Sequence, residues 1–193
     1  MTNSAIIEQP METATELPNS RMAIWWFLAS EVAIFGGLIV AYVLVRLHHP
    51  EWGEYASHTI NAAGAINTMV LLTSSLAVVL AHQAVEEGKL EKASKLLLTT
   101  VAFGLVFLAI KAYEYTHELH AGFTPVTNLF WSFYYLMTGL HGLHVVGGMI
   151  AMIAVSRSVR RGEHSARVEC VGMYWHLVDI VWIFLFPLLY LAS

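Results

Sequence analysis

Five apolar runs, each long enough to cross the hydrocarbon core of a bilayer, limit what this chain can become. A core of about 30 Å takes roughly 20 residues of helix. Inside it every backbone N–H and C=O must be satisfied by protein, which leaves helices or closed barrels. The runs extend from Arg21 to Arg46, Asn61 to Val85, Lys95 to Tyr115, Val126 to Ser156 and Val171 to Leu191. They predict an all-α, polytopic transmembrane bundle of five helices, forming a single membrane domain over 21–193. Residues 1–20 are expected to be a mobile tail, acidic and without period. Composition agrees: 57% of the 193 residues are hydrophobic and 12% are charged, a balance that a soluble core does not absorb. The first apolar run is too long for a cleaved signal peptide and follows Glu8, Glu12 and Glu16 rather than a basic segment, so it is expected to stay.

Orientation follows from Lys and Arg, which the positive-inside rule assigns to the cytoplasmic side. Arg21, Lys89, Lys92, Lys95, Arg157, Arg160, Arg161 and Arg167, 8 of the 10 basic residues, fall on the side of the N-terminus and the second and fourth loops. Only Arg46 and Lys111 fall on the other. The N-terminus is therefore expected inside and the C-terminus outside, in a cytoplasmic (inner) membrane. Cys170 is the sole cysteine, which excludes an intrachain disulfide and a thiolate metal cluster. Nothing in the sequence suggests a surface for nucleic acid.

Boundary signals are sparse but specific. Pro18-Asn19-Ser20 reads as the turn and N-cap of the first helix, and Thr124-Pro125 as the N-cap and N1 pair of the fourth. Gly88 and Gly162 read as helix stops. The first outer loop carries His48, His49 and His58 without a metal-ligand spacing and reads as exposed and polar. The second helix is rich in small and hydroxyl residues, among them Asn67, Thr68, Ser74 and Ser75, which allow close approach and hydrogen bonds between helices.

Against this background the informative residues are polar ones at membrane depth. Glu31 lies ~14 Å along its helix at 1.5 Å per residue. It reads as a carboxyl group hydrogen-bonded inside its own bundle, and also as one that exchanges a proton or senses a lipid or a neighbouring subunit; the two readings are compatible. The fourth helix carries His141 and His144 among four glycines, and the fifth carries His176 and Asp179 on one face with Trp175, Trp182 and Phe186. Counted from the inner ends, His176, Asp179, His144 and His141 lie roughly 8, 12, 18 and 22 Å deep. Unmatched depths and the lack of a second ligand set argue against haem or metal, so these four read as interior, hydrogen-bonded polar anchors. Lys111 and Glu114, i and i+3 near the outer interface, read as a structural pair from which the lysine can snorkel. No catalytic residue and no metal site is expected in this chain.

The ordered set of motifs resembles subunit III of the haem-copper cytochrome oxidases. The run from Tyr174 to Phe186 and the run from Thr138 to Val145 are its most specific parts, supported by Ser30-Glu31-Val32, Ala81-His82 and Tyr113-Glu114-Tyr115. The likeness covers nearly all of 21–193. It implies an accessory subunit that binds no haem or metal itself, packs against the catalytic subunit I and other oxidase subunits, and supports their proton uptake during oxygen reduction to water. Haem and copper are then expected in the partner subunits, and phospholipid as a bound component. Glu31 matches the family's buried carboxylate, and His144 and Asp179 its interior polar positions. The family's long form has seven helices; the first two have no counterpart here, so a lipid cleft would need a wall from another subunit. The five-helix form also resembles subunit III of quinol oxidases and a protein associated with nitric oxide reductases. A different class of function stays open beside these: an independent proton-transporting protein with Glu31, His144 and Asp179 as a relay.

Overall fold

The computed structural model describes the backbone over residues 16–162 and 165–191 and side chains over 22–162 and 167–191. Among these residues there are six helices: α1 (Glu16–Arg46), α2 (Trp52–Ser57), α3 (Asn61–Glu86), α4 (Leu90–His120), α5 (Leu129–Arg160) and α6 (Ser165–Tyr190). All but α2 are long and apolar enough to span a membrane, so the chain is a multi-pass, five-span bundle as expected. Of the tail expected over 1–20, residues 1–15 lie outside the described residues and 16–20 belong to α1.

Helices α3, α4, α5 and α6 close a four-helix ring, α3 against α4 and α6, and α5 against α4 and α6. Helix α1 stands outside the ring, along α6 and the edge of α5. Its lipid-facing surface is correspondingly wide: Trp25, Trp26, Val32, Val40 and Leu44 are exposed, while Leu28, Glu31, Phe35 and Tyr42 turn inward at helical spacing. The far end of α1 is fastened to the end of α6, where the Tyr42 hydroxyl and the Arg46 guanidinium both donate to the Leu188 carbonyl at 3.1 and 3.3 Å. A helix leaves its last carbonyls unpaired, and a cation at that end also complements the dipole. Pro187 sits in the last turn of α6, which continues to Tyr190.

Several ends differ from those expected. Helix α1 begins at Glu16, so Pro18-Asn19-Ser20 belongs to its first turn instead of capping it; proline is tolerated there because the first N–H groups have no intrahelical acceptor. Helix α5 begins at Leu129, capped by Asn128, whose side chain accepts from the Trp131 N–H at 3.0 Å. Thr124-Pro125 instead enters a turn in which the Thr127 hydroxyl accepts from the Thr124 N–H and donates to the Gly122 carbonyl. Helix α4 starts five residues before Lys95 and ends five residues after Tyr115, stopped by Gly122 at φ 89° with the Phe123 N–H bonded back to the Glu118 carbonyl. Gly88 and Gly162, both at positive φ, terminate α3 and α5 as expected. The outer loop is more than a polar strap, because α2 buries Trp52 and Ala56 and sets Trp52 against Tyr42, Phe130 and Phe133.

Large rings fill the ring of helices where glycines make room. Trp175 is fully buried between Gly104 of α4 and Gly148 of α5. A Cβ on Gly148 would meet the Trp175 ring at 2.7 Å, whereas one on Gly104 would meet first the Met149 thioether at 2.7 Å. An indole held on all sides cannot yield, but methionine has rotamers to spare. Gly148→Ala should therefore lower stability by about 1–3 kcal/mol, and Gly104→Ala by clearly less, in thermal unfolding of the purified protein. Equal effects would show that Trp175 is not the rigid wedge.

Candidate functional site

Three polar clusters interrupt the apolar interior. The first joins α1 to α5. His144 Nδ1 lies 2.8 Å from the Leu140 carbonyl, which only accepts, so Nδ1 carries a proton. Nε2 of the same ring lies 2.8 Å from Glu31 Oε2, approaching off the axis of an ideal hydrogen bond. The two groups therefore stand at ion-pair distance without closing a hydrogen bond. Phe35 packs edge-on against the imidazole at 5.2 Å, and the Tyr174 hydroxyl donates to the His144 carbonyl at 3.0 Å, tying α6 to the same junction. Glu31 is buried, yet its helix is the most lipid-exposed of the spans.

The second cluster joins α6 to α3. Trp175 Nε1 donates to Ser74 Oγ at 2.9 Å, Trp182 Nε1 to Thr68 Oγ1 at 3.0 Å, and His176 Nδ1 pairs with Ser75 Oγ at 2.6 Å. His176 and Asp179 thus face the same neighbour, α3, as their spacing predicts. Asp179 is buried beside Ser75 without closing a hydrogen bond of its own. Ser75 belongs to α3, whereas Glu31 and His144 meet between α1 and α5.

His141 departs from the expected hydrogen-bonded anchor. It is fully buried, edge-on to Phe107 and tilted against Trp182, with neither ring nitrogen hydrogen-bonded among the described residues. Aromatic contact has replaced polar contact because its neighbours on α4 and α6 present rings at that level. His141, His144 and His176 face three different environments and do not converge. Among the described residues no group of three His, Cys, Asp or Glu side chains is placed to hold a metal.

The third cluster lies at the α2 end of the bundle and corrects the reading of Lys111 and Glu114 as an interfacial pair. Both are buried, 6% and 0% exposed, since α4 continues more than two turns past Lys111 and leaves the lysine no route to the surface. Lys111 Nζ donates to Glu114 Oε2 at 2.9 Å, Tyr134 Oη at 3.0 Å and Tyr190 Oη at 2.7 Å. The Tyr190 hydroxyl also donates to Glu114 Oε2, and that of Tyr134 to Glu118 Oε1. The Tyr115 and Tyr134 rings each lie 4.8 Å from the ammonium, a favourable placement for a desolvated cation. Sequence reasoning missed Glu118, Tyr134 and Tyr190. Glu118 stands at i+4 from Glu114, and Gly122 marks how far the helix runs; together they were the available signal.

A bundle of five spans with buried polar junctions between them defines a multi-pass helical membrane protein. The comparisons make this specific. Residues 11–193 match the family profile described as Cytochrome c oxidase subunit III. The chain is 37% identical over 189 residues to cytochrome c oxidase subunit 3 of Thermostichus vulcanus, covering 95% of this chain and 92% of that one. It is 30% identical to cytochrome c oxidase subunit 3 of Alkalihalophilus pseudofirmus, over the whole of this chain and 96% of the relative. It is also 34% identical to part of the haem-copper oxidase subunit I+III of Aeropyrum pernix, covering 89% of this chain and 22% of that one. The chain belongs to the cytochrome c oxidase subunit III family.

Proposed function

We propose that this protein is the accessory, non-catalytic subunit III of a respiratory haem-copper oxidase, bound to subunit I in the cytoplasmic membrane of a bacterium. Its N-terminus and the basic loops lie on the cytoplasmic side. It stabilises subunit I and supports proton uptake while oxygen is reduced to water, with haem and copper held by the partner subunits. The relative in which subunits I and III are one chain supports the partnership, since fusion holds the two parts together at high effective concentration.

The observation that carries the proton-linked part of this reading is the Glu31–His144 pair. A carboxyl group and an imidazole at 2.8 Å, on the most exposed span, set two groups able to carry protons next to whatever covers α1. Buried ionisable groups in a membrane are costly and are found where they have a function or a partner.

Glu31→Gln tests it in the purified oxidase. The amide leaves the fold its hydrogen-bonding capacity but removes the exchangeable proton. The expected result is faster loss of activity during prolonged turnover, or weaker retention of subunit I, with the haem absorption spectrum unchanged. An enzyme that keeps wild-type activity and composition over long turnover would reduce Glu31 to packing. Co-purification identifies the assembly directly: cytochrome c oxidase subunits are expected, and recovery of quinol oxidase or nitric oxide reductase subunits would redirect the assignment.

A further inference from the structure

We infer that the buried cluster at the α2 end of the bundle is a proton-binding site, with one dissociable proton resident on Glu118. Among the described residues, Lys111 is the cation bonded into the cluster, and two carboxyl groups, Glu114 and Glu118, face it from the same helix. All three are buried, Glu118 at 1% exposed. Two carboxylates with one ammonium would leave an uncompensated charge out of contact with water, which proteins avoid by neutralising the group.

Donor counting places the proton. The three Lys111 hydrogens go to Glu114, Tyr134 and Tyr190, and the Tyr190 hydroxyl gives Glu114 a second bond, so Glu114 carries the direct ion pair. Glu118 receives the Tyr134 hydroxyl at 2.9 Å on Oε1, while its Oε2, like Glu114 Oε1, is buried without a hydrogen bond. Next to it, Tyr135 directs its own hydrogen to the Phe123 carbonyl at 2.8 Å, which leaves the phenol oxygen free to accept. A protonated Glu118 supplies the missing hydrogen on that side.

Among the described residues the groups around the site are few, and at the same end of the bundle Arg46 of α1 is bonded to the Leu188 carbonyl. Helix α4 contributes Lys111, Glu114 and Tyr115; α5 contributes Tyr134 and Tyr135; α6 contributes Tyr190. The half of α3 nearest α2, residues 61–75, has no ionisable side chain. On that flank the His58 ring lies tilted against Phe123 at 5.0 Å. Glu118 lies two residues from the end of α4, beside exposed His117 and His120, so the proton has a short way to solvent. This site is separate from Glu31 and His144 and does not depend on the role proposed for them.

The test uses the full-length protein in lipid nanodiscs, with carboxyl-labelled glutamate, by infrared spectroscopy in H2O and D2O at neutral pH. A glutamic-acid C=O band, sensitive to label and solvent, is expected in the wild type, and Glu118→Gln should remove one carboxyl group's share of it. Because the amide mimics the protonated acid, Glu118→Gln should also keep the wild-type unfolding midpoint, whereas Glu114→Gln, which deprives Lys111 of its counter-ion, should lower it. An unchanged band in Glu118→Gln, or a midpoint loss as large as that of Glu114→Gln, would overturn the proposal by showing Glu118 ionised. A band that appears only when sodium is replaced by choline would overturn it in favour of a metal cation as the ligand.

Discussion

Lys111→Ala should be among the most destabilising single substitutions in the bundle, at about 3–5 kcal/mol, the range for removing one partner of a buried ion pair. The ammonium is bonded to Glu114, Tyr134 and Tyr190 at once, so its loss unties α4 from both α5 and α6 at the α2 end. Glu114 is left buried with the Tyr190 hydroxyl as its remaining donor. Thermal unfolding in detergent, followed by helical circular dichroism, measures the effect. A change below about 1 kcal/mol, typical of an exposed pair, would show that the cluster opens to water.

Trp175→Ala should cost a similar amount by a different route, about 3–5 kcal/mol for deleting a fully buried large ring. In a bilayer helices gain little from burial alone, and close van der Waals packing holds them together. The ring fills the space that Gly104 and Gly148 leave on two other helices, and its Nε1 is bonded to Ser74 on a third. One deletion therefore loosens all four helices of the ring. Trp175→Phe should recover most of the loss in the same unfolding assay. If it recovers none, the hydrogen bond to Ser74 outweighs the packing.

The spans were legible because lipid allows no other backbone solution for runs of that length, and Gly88 and Gly162 marked real stops because only a positive φ turns the chain there. That His176 shares one face of its helix with Trp175 and Trp182 was also legible, since helical periodicity fixes relative direction along one element. What periodicity does not fix is which element stands opposite. Glu31 was recognisable as costly, but its partner His144 is 113 positions away, and nothing local in either sequence selects the other. Lys111 shows the larger error. A lysine about one turn from a helix end snorkels, and one more than two turns inside cannot; the difference was the extension of α4 to Gly122. Capping of α5 by Asn128 was missed for a similar reason: Thr124-Pro125 is an equally good local signal, and the turn made by Thr127 decides between them.

The indole and imidazole bonds from α6 to α3 have a further consequence. Trp175 and His176 engage the neighbours Ser74 and Ser75, and Trp182, further along α6, engages Thr68, further back along α3, as antiparallel helices require. Sliding one helix by a single turn, about 5.4 Å, would unseat all three bonds together, with no water to replace them. The pair therefore behaves as a toothed rack: lateral loosening is permitted by a soft lipid surround, but vertical slippage is not. Whatever binds the outer faces of this bundle meets a scaffold whose heights are fixed.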